Sequence, residues 1–285
     1  MAKVTVITDS IACLPRDMRE QYGIMVMPIH FYHGGREYTD GVDITPSEAY
    51  QLFLKDPDSF KTSGISPGEC LEIYRQAARK SDKILCVTIS SRLSAVHQVA
   101  LSTRELLLSE QPGLSIEVID SRNVAAAEGF VVLAVARRAA EGKEMVEVVR
   151  SAGIVRDKVN LVALMDTVRY VYRTGRIPKM AARVGSVLNI RPLFTISSGV
   201  PHFIGAVRSR EHGIDRLIKM VGAKVGHNPV HIAVMHAYTA GEAEKLKERV
   251  RSELNCAELW VCEFSPIMGY AAGTGLLGLA FYTES

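Results

Sequence analysis

Lys83-Ile84-Leu85-Cys86-Val87-Thr88-Ile89-Ser90-Ser91-Arg92-Leu93-Ser94 reads as a strand that runs into a hydroxyl-rich turn opening a helix. Val96, Val99, Ala100, Thr103, Leu106 and Leu107 then recur at i, i+3, i+4 spacing, and Gly113 closes the segment after Pro112. A helix N-terminus carries unpaired N–H groups and the positive end of the dipole, so Ser94 at the cap offers a place for a small anion. The same serine also reads as a plain helix cap without a ligand.

On either side of this unit, strand-like and helix-like segments alternate. Strands are expected at Val4–Ile7, Met25–Phe31, Ile84–Ile89 and Ile116–Ile119. Helices are expected over Ser47–Leu54, Gly68–Arg79 and Val124–Ala140. Such alternation predicts a parallel sheet covered by helices. Polar residues recur just past the strands: Thr8, Asp9 and Ser10; Ser90 and Ser91; Asp120 and Ser121. In open α/β sheets ligands sit beyond the carboxyl ends of the strands, while Asp9 and Asp120 read equally as loop caps.

A helix at Glu144–Ala152 leads through Gly153 to the polar stretch Val155-Arg156-Asp157-Lys158, taken as the joint between two units. Beyond it come a strand at Asn160–Leu164, a helix over Thr167–Arg173 stopped by Gly175, and another helix beginning at Pro178. Arg191–Ile196 and Val200–Val207, separated by Ser197-Ser198-Gly199, read as a hairpin, which brings in antiparallel pairing. Helices at Glu211–Val225 and Gly241–Leu254 and strands at His231–Met235, Glu258–Phe264 and Leu276–Tyr282 complete an α+β module. The fold class is therefore α/β in two units: residues 1–156 with a parallel sheet, and residues 157–285 with a mixed sheet.

At 285 residues and 47% hydrophobic content the chain can bury a sizeable core. The net charge of +3 is small and scattered, which gives no case for nucleic acid or an acidic membrane as partner. Cys13, Cys70, Cys86, Cys256 and Cys262 form no Cys-x-x-Cys pair and suit reduced thiols of a cytoplasmic protein. The first ten residues read as strand rather than secretory signal, and no apolar run reaches membrane-spanning length.

Several groups are candidates for chemistry. In Lys61-Thr62-Ser63-Gly64-Ile65-Ser66-Pro67-Gly68-Glu69, Ser66 and Glu69 make a capping box, leaving Thr62 and Ser63 beside a glycine that admits close backbone approach. Arg169 and Arg173 share one helix face, and Arg176 follows Gly175; arginine there suits a carboxylate or phosphate, or a solvated helix face. Pro266–Gly275, including Gly273 and Thr274, reads as a small-residue loop that either lets a ligand lie on bare backbone or forms a tight crossover. It lacks the pattern of a nucleotide-binding P-loop. A Ser91 or Ser94 nucleophile with His97 as base lacks the elbow motif and the geometry, so no catalytic residue is assigned. The remaining histidines show no metal-ligand spacing.

Seven pieces, VITDS (6–10), DGVDITPSEAY (40–50), KTSGISPGE (61–69), ISSRLSAVHQVA (89–100), IDSRNVAAAEGF (119–130), RTGRI (173–177) and GSVLNIRPLFTISSG (185–199), follow one another in an order that resembles the DegV family. The resemblance implies a two-domain protein that binds a long-chain fatty acid in an apolar tunnel at the domain interface, with no further cofactor and no metal. Carried over residue by residue, it implies that Thr62 and Ser94 hold the carboxylate with Arg176 near it, and Ser63, left over beside Gly64, joins them as a candidate carboxylate ligand. Asp9, Ser10, Ser91, Asp120, Ser121, Gly273 and Thr274 are further lining candidates, and Arg208 faces a partner. It also implies a carrier that presents its ligand to a separate fatty acid kinase subunit. Where the family shows Gly-Thr-His-x-Gly-Pro-Gly, this chain has Gly269-Tyr270-Ala271-Ala272-Gly273-Thr274-Gly275, with Ala271 at the histidine's place. The competing reading is an enzyme of small acyl or phosphorylated compounds, with Asp9, Asp120 and Ser94 around the anion.

Overall fold

The structure, a computed structural model, describes residues 4–167, 169–170, 174–176 and 190–284. The first part of the chain runs β1 (Thr5–Asp9), a 3-10 turn (Ser10–Ala12), α1 (Arg16–Tyr22), β2 (Met25–Met27), β3 (His30–His33), β4 (Arg36–Thr39), α2 (Pro46–Lys55), β5 (Lys61–Ser63), α3 (Pro67–Ala78), β6 (Lys83–Thr88), α4 (Val96–Glu110), β7 (Ser115–Asp120), α5 (Ala125–Ala140) and α6 (Met145–Lys158). The second part runs β8 (Asn160–Leu164), β9 (Arg191–Ser197), β10 (Val200–Val207), α7 (Arg210–Val225), β11 (Val230–His236), α8 (Ala240–Glu253), β12 (Cys256–Glu263), α9 (Pro266–Ala272) and β13 (Leu277–Thr283). The helices expected over Thr167–Arg173 and from Pro178 fall largely or wholly outside the described residues.

Three sheets result. A parallel sheet has the order β2-β1-β6-β7, and a mixed sheet the order β10-β9-β8-β13-β11-β12, in which β11 and β12 are parallel and the other neighbours antiparallel. A small antiparallel sheet, β4-β3-β5, had no counterpart in the sequence reading. The stretch Met25–Phe31 was expected as one strand. It is two, because Pro28 brings no N–H to a ladder and the chain leaves the parallel sheet there to start β3. This break carries β5, and with it Thr62 and Ser63, to their place on β3.

α3 and α4 cover one face of the parallel sheet and α5 and α6 the other; α7 and α8 cover the outer face of the mixed sheet. α5 lies between the two sheets, touching β1 and β6 on one side and β11 and β13 on the other. Every residue of α5 except Ala134, Arg137, Arg138 and Ala140 is buried, as a helix that is apolar all round must be. β11 shows the same two-sided burial. Val230, Ile232 and Val234 pack outward against α7 and α8, while Ala233 and Met235 join the core shared with the parallel sheet.

Val155–Lys158, expected as a joint, is the last turn of α6 with Val155 buried, so the chain passes to the second sheet at Val159. Pro266–Gly275 was expected as a loop; most of it is α9. Ser265 caps that helix by accepting from the Ile267 N–H (3.3 Å), and Pro266 occupies the first turn.

Candidate functional site

β6 ends at Thr88, and the chain curls at once: the Leu93 and Ser94 N–H groups donate to the Ser90 carbonyl at 2.9 and 3.2 Å. Because this turn already bends the backbone, α4 begins only at Val96 and its cap residue is Ala95, which has no side-chain acceptor. Ser94 is therefore not the cap. Its hydroxyl accepts a long bond from the Val96 N–H (3.4 Å), which leaves its own hydrogen to donate elsewhere.

Ser94 borders a cavity of about 220 Å³ between the carboxyl ends of the parallel strands and the inner face of the mixed sheet. Ile11, Ile89, Leu93 and Val124 line it from the parallel-sheet side. Leu161, Ala163, Met165, Phe194, Ile196 and Met235 line it from the mixed sheet, and Ile267, Met268, Ala271 and Ala272 from α9. The polar side chains in this lining are Thr62, Ser63, Ser94, Thr174 and Arg176. Four of the five were expected from the sequence; Thr174 was not singled out.

The hydroxyls are sparingly used within the protein. Ser63 donates to the Gly64 carbonyl at 3.3 Å, and among the described residues the Thr62 hydroxyl has no hydrogen-bond partner. Arg176 is exposed and donates from Nη1 to the Thr174 carbonyl (2.9 Å), and among the described residues its other side-chain N–H groups have no partner. β5 is held in register by β3, where His30 Nε2 lies 2.8 Å from Glu69 Oε1. Glu69 also completes the capping box with Ser66 at the start of α3. The site is therefore a mostly hydrocarbon-lined space with neutral donors and one guanidinium, which suits an amphiphile with an anionic head.

The remaining candidates lie outside this lining. Asp9 is buried, and both carboxyl oxygens accept backbone bonds, from Ile11 (3.0 Å) and Ile89 (2.8 Å). It thus fixes two residues of the cavity wall without reaching the cavity. Burial pushes its pKa up to about 7, against the pull of those two N–H bonds. Asp9 and Ser10 instead border a second cavity of about 320 Å³ together with Asp40 and Arg19. Ser10 accepts from the Ile29 N–H (3.3 Å). Asp120 accepts from the Ser91 hydroxyl (2.6 Å), the Ser91 N–H (3.3 Å) and the Arg122 N–H (2.8 Å), so Ser91 and Asp120 pin two neighbouring turns. Ser121 is buried and bonded to Asn123.

Gly273 ends α9 at φ 75, where an added Cβ would lie 2.7 Å from the Tyr170 ring. Thr274 follows it, away from the lining. Arg208 is exposed, and its carbonyl accepts from Arg191 Nη1 (3.2 Å). Among the described residues no His, Cys, Asp or Glu group is placed to hold a metal ion, and no helix is long and apolar enough to cross a membrane.

The apolar lining was not legible as such, because Met235 or Phe194 alternates along its strand just as a packed core residue does. The α9 contribution did leave a signal: Ser265-Pro266 is a helix-start pair.

Comparisons with known proteins agree with one another. The sequence model of the DegV family, described as "Uncharacterised protein, DegV family", matches residues 3–284. A DegV domain-containing protein of Clostridium acetobutylicum is 30% identical over 287 residues, covering 100% of both chains. Another, from Streptomyces coelicolor, is 32% identical over 279 residues, covering 97% of each. Among solved structures, a fatty-acid-binding DegV family protein of Thermus thermophilus superposes with a TM-score of 0.87 at 27% identity, covering 99% of this chain and 100% of that one. A stearic-acid-binding protein of Eubacterium ventriosum superposes with a TM-score of 0.91 at 21% identity, covering 100% and 99%, a likeness of fold.

Proposed function

This chain belongs to the DegV family, and from that membership and its cavity we propose that it binds a long-chain fatty acid. The acyl chain fills the apolar cavity. The carboxylate accepts from the hydroxyls of Thr62, Ser63 and Ser94, with Arg176 in support. The observation that carries the reading is the composition of the lining: hydrocarbon everywhere except four hydroxyls and one guanidinium. The fatty-acid-binding relative from Thermus thermophilus supports it.

The energetics suit such a ligand. Each buried CH₂ contributes ~0.8 kcal/mol, so about sixteen carbons supply on the order of 12 kcal/mol before the costs of ordering. Neutral donors are then sufficient at the head, because the tail supplies the affinity and the head only sets its direction. The rival reading, an enzyme working on a small anion, loses support from the same geometry. Asp9 and Asp120 spend their carboxyl oxygens on backbone N–H groups and a serine hydroxyl outside the cavity.

A carrier of this kind delivers its ligand to chemistry performed elsewhere. The proposal extends to a cytoplasmic setting and to a separate kinase subunit that phosphorylates the presented carboxylate, with the exposed Arg208 facing that partner. Ala271, which on the resemblance stands where the family has a histidine, contributes apolar surface to the cavity wall.

Native mass spectrometry of the purified protein, followed by denaturing extraction, tests the core of the proposal. One fatty acid per chain is expected. A ligand-free mass together with no uptake of added palmitate or oleate overturns it.

A further inference from the structure

β9 and β10 form a hairpin whose turn leaves the mixed sheet. β8 pairs with β9 from Leu193 to Thr195, whereas β10 stays paired with β9 out to Val200 opposite Ser197. The turn end reaches the other unit of the molecule. There the fully buried Ser90 hydroxyl donates to the Gly199 carbonyl (2.7 Å), and Arg92 Nη1 donates to the Ser198 carbonyl (3.2 Å). Gly199 is itself buried, at φ 79, and seated so closely that an added Cβ would lie 2.5 Å from Ser90 Oγ.

Both donors belong to the turn that supplies Ile89, Leu93 and Ser94 to the apolar cavity, while the hairpin supplies Phe194, Ile196 and Pro201 to the same cavity. Two hydrogen bonds therefore join opposite walls. At its other end the hairpin has a register shift between Phe203 and Gly205, and Arg216 Nη2 donates to the Ile204 carbonyl (3.3 Å). The hairpin is thus tied at its base, bent at a bulge and latched at its tip.

We propose that the β9–β10 turn is a latch on the acyl cavity: Ser90 and Arg92 hold Gly199 and Ser198 to close the wall, and their release lets an acyl chain pass. Ser90 acts as a positioning residue through the hairpin and does not touch the ligand. The inference rests on the fatty-acid reading. Its signature differs from that of a carboxylate donor. Weakening a gate speeds association and release together and leaves the dissociation constant unchanged, whereas losing a binding contact speeds release and weakens affinity together.

Stopped-flow measurement of the fluorescent C18 ligand cis-parinaric acid reads both rates. Ser90→Ala is expected to raise each about tenfold with a dissociation constant within about twofold of the original. Gly199→Ala, which drives a Cβ into the Ser90 hydroxyl and places an alanine at φ 79, is expected to do the same. In the double variant that Cβ meets the Ser90 Cβ at 3.6 Å, an ordinary contact, so the two effects are expected to be non-additive. Unchanged rates in both single variants, with ligand still bound one per chain, overturn the latch and leave the fatty-acid reading standing. Release and dissociation constant rising together also overturn it, because the hairpin is then a binding contact. If the unaltered protein takes up neither parinaric acid nor palmitate, the fatty-acid reading falls and the latch falls with it.

Discussion

Thr62 and Ser94 come from segments more than a sheet apart in sequence, one on β5 and one before α4, and meet at a single cavity. Losing a donor to a charged acceptor costs ~1–3 kcal/mol, so Thr62→Ala and Ser94→Ala are each expected to weaken binding of palmitate by about 5- to 150-fold. Calorimetric titration checks this, and unchanged affinity in both variants removes them from the carboxylate site. Asp9 and Asp40 make a different kind of prediction. Burial, the dominant cause in both, raises Asp9 to about 7 and Asp40 to about 6 from the ordinary carboxylate value of 3.8, and drives the neighbouring Glu128 well above its usual range. A carboxyl raised in the folded state holds its proton more tightly there than in the unfolded chain. Its contribution is complete below the unfolded value and is lost as pH rises through the folded one. His236, lowered by burial, acts the other way as pH falls below its ordinary value of 6.5, a smaller opposing effect than those of Asp9 and Glu128. The urea midpoint is therefore expected to be higher at about pH 6 than at about pH 8.5, and equal midpoints would refute the assignment. The residue types of the site were legible because hydroxyls at strand ends stand out against apolar runs. That Ser94 is not the cap was not, because the cap position depends on how the Ser90–Ser94 turn closes.

At the scale of elements, the helices with strong terminal signals came out as read. α3 begins at the Ser66 and Glu69 capping box with Pro67 in its first turn, as the spacing implies. α9 was missed because its glycine and alanines resemble a loop, although Gly269 is there for contact: an added Cβ would overlap the Tyr50 ring of α2. Gly129 in α5 is a similar case with a measurable consequence. Glycine to alanine in a helix interior ordinarily stabilises by about 1 kcal/mol. Here the new Cβ would sit 2.7 Å from the Ala12 carbonyl oxygen and 3.1 Å from Leu14, between a buried helix and the 3-10 turn. Gly129→Ala is therefore expected to destabilise by ~1–3 kcal/mol, read as a lower thermal midpoint. A raised midpoint would show that the two elements can part without cost.

For the whole molecule, the decisive placement is α5 between the two sheets. Phe130 on α5 meets Trp260 of β12 and Tyr282 of β13 edge to face, at centroid distances of 5.3 and 5.2 Å, so one side chain joins the two halves of the fold. Phe130→Ala is expected to cost ~3–5 kcal/mol while unfolding remains a single transition, since the inner faces of both sheets share one core around α5. Two separate transitions in calorimetry would contradict a shared core. The sequence alone determined the alternation that makes a parallel sheet, the hairpin that turns the second half antiparallel, the family, and the candidacy of the hydroxyls Thr62, Ser63 and Ser94, which border the cavity. Those are local properties, written in spacing, turn residues and motif order. Tertiary structure alone decided the rest: the small β4-β3-β5 sheet, the turn hydrogen bonds that hold Asp9 and Asp120 outside the apolar lining, that lining itself, and the hairpin tip on Ser90. Each of these depends on which faces of distant segments meet, and a side chain facing an open cavity carries the same periodicity as one facing a packed core.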